Sequence, residues 1–394
     1  MRKRKFTHIF ASLVAAAAFA ASAGPLVAVP ANAATASAPR AVTANNAGFG
    51  ALEAHQIAGG DTCTEVRKNL AALAKAGHRA TTCIEPASSA AGPAVHSRLT
   101  SAAVRPATLP SWCTTKSWQG TRFAMCYIQS NYILNIDTET GEQIGFADFS
   151  IVDNFTLTWN SQLFSESFAL QLPVVTGTFA GMTLNVVPTC GNKTTCIAAG
   201  GLADLPIEEG ATYTTKFAYS DTTRTVDENY IRYTMTSGPG TVVPASWTSP
   251  PFRCDDEIAG APAGCVVPGI APVLTTMTNT PAIAANIRSI QAAGPQHYGR
   301  EADGKPLTRN SSLNNANRAV ACPSSVTAPA GKSCDEYPFA TTDQGASKTK
   351  KPNWGTAWVP VSEQNSQGGY LSNFYQDYRV MDGNGTGDAF WVAV

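Results

Sequence analysis

The sequence predicts a multidomain chain in which a β-sandwich-like, all-β middle segment precedes a small α+β C-terminal domain. Three observations carry that reading. Between Trp112 and Pro268, aromatic and β-branched residues recur in short alternating runs with almost no helical period. Beyond Pro268 a helical period appears, with Ile283, Ile287 and Ile290 on one face between Pro281 and Gly294. Ten cysteines in 394 residues suit a chain folded in an oxidising compartment.

The chain opens with Arg2-Lys3-Arg4-Lys5, an apolar run from Phe6 to Ala21 and the small-residue site Ala31-Asn32-Ala33. A basic start, a short apolar core and a small-residue exit are the features of a secretory signal peptide, here 1–33, and the run is too short to span a bilayer. No later window approaches a transmembrane length, so a secreted, extracellular product without a membrane span is expected. Residues 34–110 read as an Ala- and Pro-rich linker with one small helix between flexible stretches. Thr62-x-x-Glu65 has capping-box spacing, Val66, Leu70 and Leu73 follow, and Gly77 ends the run. A removed propeptide, a surface attachment and a plain exported spacer all suit that composition.

In the middle segment, 111–270, residues 132–136 run through Thr138-Glu139-Thr140-Gly141 into Ile144-Gly145-Phe146, a hairpin signature. Further strands are marked by Phe155, Leu157 and Trp159, by Tyr213, Phe217 and Tyr219, and by residues 230–235, stopped by Gly238-Pro239-Gly240. In the C-terminal segment, 271–394, the helix at 281–294 is followed by strands expected around 356–361, 378–381 and 389–394. Charge separates the two segments. The chain as a whole is balanced, but 111–270 carries 7 Lys and Arg against 15 Asp and Glu, a net of −8, whereas 271–394 carries 10 against 9, a net of +1. The middle segment should be repelled by polyanions, and the C-terminal one can approach them.

Cysteine spacing invites pairing of sequence neighbours: Cys63–Cys83, Cys113–Cys126, Cys190–Cys196, Cys254–Cys265 and Cys322–Cys334. Connectivity is not fixed by spacing alone. No Cys-x-x-Cys and no His at zinc spacing occurs, which favours structural disulfides, each contributing about 2–4 kcal/mol if unstrained.

The densest chemistry lies in Cys334-Asp335-Glu336-Tyr337-Pro338-Phe339 and in Glu363-Gln364-Asn365-Ser366-Gln367-Gly368-Gly369, read as a Gly-ended loop. Three carboxylates and three amides make an oxygen-rich set suited to a hard divalent cation, Mg²⁺, Mn²⁺ or Ca²⁺. On a strand, Asp335 and Glu336 would point to opposite faces; at a helix start both could edge one cleft. A solvated acidic pair or a helix cap is the plain alternative. Asn365 and Gln367 can donate and accept at once, as a phosphate-binding site needs. Gly368-Gly369 would let a strand approach closely, or would form a tight turn. His297, the only histidine of the C-terminal segment, is a candidate general base or an exposed loop residue. Arg318, Lys348, Lys350 and Lys351 are candidate phosphate contacts. The run from Asp382 to Asp388 resembles a calcium loop, although a Gly-rich hairpin turn between two strands fits it better.

The two separated motifs together resemble the NucA/NucB family of secreted bacterial deoxyribonucleases. Its C-terminal domain pairs a Cys with a later Cys-Asp-Glu-Tyr-Pro-Phe-Ala run, then carries Glu-Gln-Asn-x-Gln-Gly-Gly, and closes on a Phe-x-Val strand. Here these are Cys322, residues 334–340, residues 363–369 and Phe390-Trp391-Val392, so the resemblance covers roughly 280–394. It implies a metal-dependent, sequence-nonspecific endodeoxyribonuclease that grips DNA through the phosphate backbone. Asp335, Glu336 and Glu363 are then catalytic and cation-binding, with Glu336 binding the cation or orienting the attacking water. Two other readings stand beside it: a secreted β-rich binding or surface protein with a structural cation, and a nuclease toxin aimed at competing cells with an immunity or inhibitor protein as partner. No helix-turn-helix, zinc finger or RNA-binding signature is present to read bases.

Overall fold

The structure, a computed structural model, describes residues 50–52, 62–86, 109–113, 117–238, 244–302 and 304–394. The signal peptide read at 1–33, nearly all of the stretch to residue 61, residues 87–108 and the Pro239-Gly240 turn lie outside the described residues.

Two-residue alternation builds the β-rich half. Along β12 (Ile231–Ser237) Ile231, Tyr233 and Met235 are buried while Arg232 points outward, as a strand covered on one face requires. The largest sheet runs β1 (Gly50–Leu52), β3 (Trp118–Thr121), β4 (Ala124–Asp137), β5 (Gln143–Thr158), β6 (Ser161–Gly177), β10 (Ala211–Asp221), β8 (Cys196–Ala199), with β2 (Ala80–Pro86) also on β4. A four-stranded sheet runs β13 (Ala245–Thr248), β12, β7 (Thr183–Cys190), β9 (Leu202–Pro206). Tyr127, Phe155 and Phe168 of the first sheet and Tyr233, Met235 and Trp247 of the second belong to one hydrophobic cluster, a sandwich arrangement. Beside it lies a small sheet of β11 (Val226–Asn229), β14 (Phe252–Asp255) and β15 (Gly264–Val266). The expected β4–β5 hairpin forms, and Asp137 Oδ1 accepts the Glu139 and Thr140 N–H groups at 2.9 and 2.8 Å.

The helix clamped by Cys63–Cys83 is not an island between linkers. It breaks at Asn69 into α1 (Thr62–Lys68) and α2 (Leu70–Lys75), and the following β2 pairs with β4 from Ala80↔Asp137 to Pro86↔Asn131. Val66 packs with Leu134, Ile136 and Phe146 on the face of β4 opposite the sandwich core. All five neighbour disulfides are formed.

The sandwich core holds a buried acid pair. Asp153 and Glu166 are 0 % exposed, and Glu166 Oε2 accepts the hydroxyls of Tyr219 at 2.5 Å and Tyr233 at 2.9 Å. Asp153 faces Glu166 and lies beside the Trp247 indole. Two carboxyls meet in a core only with a proton between them, and burial accordingly raises both, Glu166 to about 6.

The C-terminal region has its own cluster, including Ile283, Ile287, Tyr337, Phe374 and Phe390. Its elements are β16 (Val273–Leu274), α3 (Pro281–Ala293), β17 (Leu307–Thr308), α4 (Asn314–Ala321), β18 (Lys332–Tyr337), β19 (Gly355–Pro360), α5 (Val361–Asp377) and β20 (Ala389–Val392). β18 and β19 form an antiparallel pair, and β20 joins β16 in parallel and β17 antiparallel. Three expectations are corrected. The segment read as a Gly-ended loop, 363–369, lies within helix α5, because Gln367, Phe374 and Tyr375 recur at helical spacing and are buried together. Residues 378–381 are a turn rather than a strand. The 382–388 run is neither calcium loop nor hairpin: Asp382 Oδ1 accepts the Ser311 N–H at 2.8 Å, and Asp388 is taken by arginines.

Those arginines join the two regions. Arg122 and Arg253, from the sandwich side, bind Asp388 at 2.5 and 2.8 Å. Arg379 pairs with Asp255, which also holds Arg253 at 3.0 Å. Three cations face two anions, and the excess charge is met by carbonyls: Arg122 donates to Tyr378, Val267 and Ile270, and Arg379 to Trp159 and Pro262. Such a cluster is tolerated in a dry interior only when nearly every donor is used.

Candidate active site

Strand alternation on β18 decides the geometry that the sequence left open. Asp335 and Tyr337 face α3 and α5, whereas Cys334 and Glu336 face α4 on the other side. Asp335 is 0 % exposed and clamped by two amides: Asn286 Nδ2 donates to Oδ2 and Gln367 Nε2 to Oδ1, each at 2.8 Å. Gln367 is itself held by Gln364 Nε2 at 2.8 Å. Burial pushes the Asp335 carboxyl up to about 6, against the pull of the two amides, while the Glu363 charge adds to the rise.

Glu336 is 7 % exposed and lies 4.0 Å from Arg318 Nε, whose side chain is nearly half exposed. Its Oε2 also touches Cys322 Sγ at 3.4 Å, a packing contact because a disulfide sulfur has no proton to give. Burial raises the Glu336 carboxyl, Arg318 opposes, and Asp335 adds to the rise. The Cys322–Cys334 bridge ties the end of α4 to β18 and so fixes Arg318 opposite Glu336.

Glu363, in the first turn of α5, reaches the start of α3. Its Oε2 accepts the N–H groups of Ala282 and Ile283 at 2.9 and 3.2 Å. Thr280, at the N-cap position, spends its hydroxyl on the Met277 carbonyl, so a carboxylate from another helix does the capping. The remaining predicted residues are dispersed. Asn365 is exposed on α5, and Gly368 and Gly369 are exposed mid-helix with open space beside them rather than in a tight turn. Lys350 and Lys351 are exposed, and Lys351 Nζ sits 4.7 Å above the Trp354 ring. His297 Nδ1 donates to the Gln291 carbonyl at 2.6 Å, at the end of α3 remote from Asn286. Among the described contacts none joins His297 to Asp335, Glu336 or Glu363.

Sequence reasoning missed Asn286, Lys332 and Trp358. Asn286 carried a signal: it is a polar residue on the apolar stripe of Ile283, Ile287 and Ile290, and such a residue is buried with a partner. Lys332 and Trp358 line a groove of about 430 Å³, with Arg318, Cys322, Val326 and Thr356 on its other walls. Thr356 is the cross-strand partner of Glu336, and the lining residues Arg318 and Cys322 both touch that carboxylate, so Glu336 sits behind the groove wall.

An acid pair held at a fixed register, a disulfide beside it and a groove lined by Arg318 and Lys332 thus come together on β18 and β19. Residues 285–390 match the family model described as Deoxyribonuclease NucA/NucB. The C-terminal region is a NucA/NucB domain. The match encloses Asp335, Glu336, Glu363 and Arg318 and supports a deoxyribonuclease. No curated protein and no solved structure matches the chain.

The NucA/NucB domain implies a divalent cation, which the donor chemistry can test. Among the described residues no group of three or more His, Cys, Asp or Glu is arranged to hold a metal ion. A preformed three-carboxylate cage is therefore not present, and Glu336 lies across the strand from the other two. Mg²⁺, however, characteristically takes one or two carboxylates and completes its shell with water and substrate phosphate. Gln364 Oε1 is buried without a partner, and Glu363 Oε1 takes none of the described hydrogen bonds. Both are oxygens of the kind a hard cation takes, and the Glu363 charge is near enough to Asp335 to raise its carboxyl.

Proposed function

We propose that the chain is an exported, metal-dependent, sequence-nonspecific endodeoxyribonuclease. One observation carries this: the NucA/NucB match falls on the strand pair that holds a buried carboxylate, Glu336, 4.0 Å from an arginine that lines a groove. Arg318 takes a phosphate oxygen of the backbone, as an exposed guanidinium beside a groove does. Glu336 then accepts the proton of the attacking water at its carboxylate, and its raised proton affinity strengthens it as a base. Asp335 with Glu363 and Gln364 would hold the cation, which when bound supplies water activation and neutralises charge on the phosphate. Asn286 and Gln367 keep Asp335 in one rotamer. Five disulfides and the signal-like N-terminus support export. Incubating supercoiled plasmid with the full mature chain tests the proposal. Nicking and linearisation that EDTA stops and Mg²⁺ or Mn²⁺ restores is expected; a plasmid that only shifts in mobility, uncut with every cation, overturns it.

A further inference from the structure

We propose that the groove beside Glu336 is a nucleotide subsite in which an unpaired DNA base stacks on Trp358 while Arg318 and Lys332 hold the flanking phosphates, making single-stranded or frayed DNA the better substrate. The proposal rests on the deoxyribonuclease reading and adds to it a preference for strand state.

Trp358 is an unusual surface residue. It stands on the outer face of β19, 39 % exposed, opposite Cys334 in the strand register, while its neighbour Val359 is fully buried. Large apolar side chains left open in a concave site are a cost unless something covers them. An indole face beside two cations matches one occupant well, because each nucleotide brings an aromatic plane and a negative phosphate together. Lys332 lies on the same face of β18 as Cys334 and Glu336, and Arg318 projects from α4 across the groove. Val326, 53 % exposed, adds an apolar wall. The groove volume of about 430 Å³ is in the range of small-ligand sites and suits a base with its sugar. A base inside a duplex is covered on both faces by its neighbours and cannot offer one to Trp358 without leaving the stack. Arg318 and Lys332 line the same groove as Trp358 and so can take the phosphates of a base seated on it, with Glu336 4.0 Å behind Arg318.

Cleavage of matched single-stranded and duplex oligodeoxynucleotides by the full chain, with Trp358→Ala and Trp358→Phe, tests this, alongside anisotropy of a labelled single strand in EDTA. Wild type should cut the single strand faster. Trp358→Ala should lose roughly 5- to 150-fold in kcat/KM on it, the equivalent of about 1–3 kcal/mol per stacked base, with at most a twofold loss on duplex. Trp358→Phe should recover most of it. Equal losses on both substrates, or none on either, overturn the subsite. Single-strand binding that weakens in Trp358→Ala although the wild type cuts neither DNA supports the subsite and overturns the deoxyribonuclease reading; binding unchanged in Trp358→Ala overturns the subsite whatever the cleavage.

Discussion

Asp153 with Glu166 in the sandwich core and Asp335 with Glu336 in the C-terminal region are both buried carboxylate pairs whose proton affinity burial raises, yet they are built differently. The sandwich pair is met by tyrosine hydroxyls, faces no cation among the described residues and lies inside an aromatic core. The C-terminal pair is split across a strand: Asp335 is clamped by two amides, and Glu336 faces Arg318 beside an open groove. A raised proton affinity therefore does not mark a reacting group by itself. A counter-charge and a path for substrate distinguish the second pair from the first.

The largest expected separation is between two isosteric substitutions. Glu336→Gln should keep fold and disulfides but lose at least ~10²-fold in DNA cleavage, the usual scale for a positioned acid or base. Glu166→Gln should stay within about twofold. Comparable losses in the two folded variants, measured on one plasmid substrate, would erase the distinction drawn above.

Arg318→Ala probes the counter-charge. It should lower cleavage about tenfold, near 1.4 kcal/mol for one charged hydrogen bond, and make the salt dependence shallower by about one phosphate contact. A variant with unchanged salt slope would place Arg318 outside the substrate path.

Acidity should separate the pairs by sign. In the sandwich the native state keeps a proton that the unfolded chain releases in the ordinary carboxylate range, so stability is greatest in acid and declines as pH rises through about 6. Glu166→Gln should flatten that decline, on the order of 1–2 kcal/mol between pH 5 and 8, in thermal melts across the pH range. Cleavage should run the other way, falling as pH drops through about 6 and Asp335 takes up its proton. A cleavage profile flat from pH 5 to 8 would remove Asp335 from the ionised set.

Much of this architecture was legible because it is local. The stripe of Ile283, Ile287 and Ile290 between Pro281 and Gly294 announces α3, and alternation announces β4, β5 and β12. Helix α5 was hidden because Gly368-Gly369 reads as a turn; each glycine costs about 1 kcal/mol in a helix, and the burial of Phe374 and Tyr375 outweighs it. Asp335, Glu336 and Glu363 were visible as residue types. Their division between the two faces of a strand, and the use of Glu363 as a cap for α3, depend on contacts some eighty residues apart along the chain. The arginine cluster was invisible for the same reason, since Arg122 and Asp388 look like solvated charges until tertiary structure joins them.

That cluster also imposes an order on the chain's own maturation. Polypeptides appear N-terminus first, so Arg122 and Arg253 exist well before Asp388, the carboxylate both of them bind. Arg253 already has Asp255 two residues along the chain, whereas the ion pair of Arg122 is with Asp388, and burying an unpaired guanidinium costs several kcal/mol. Residues 378–388 therefore complete the burial of Arg122: without them its guanidinium loses Asp388 and the Tyr378 and Arg379 carbonyls and keeps those of Val267, Pro268 and Ile270.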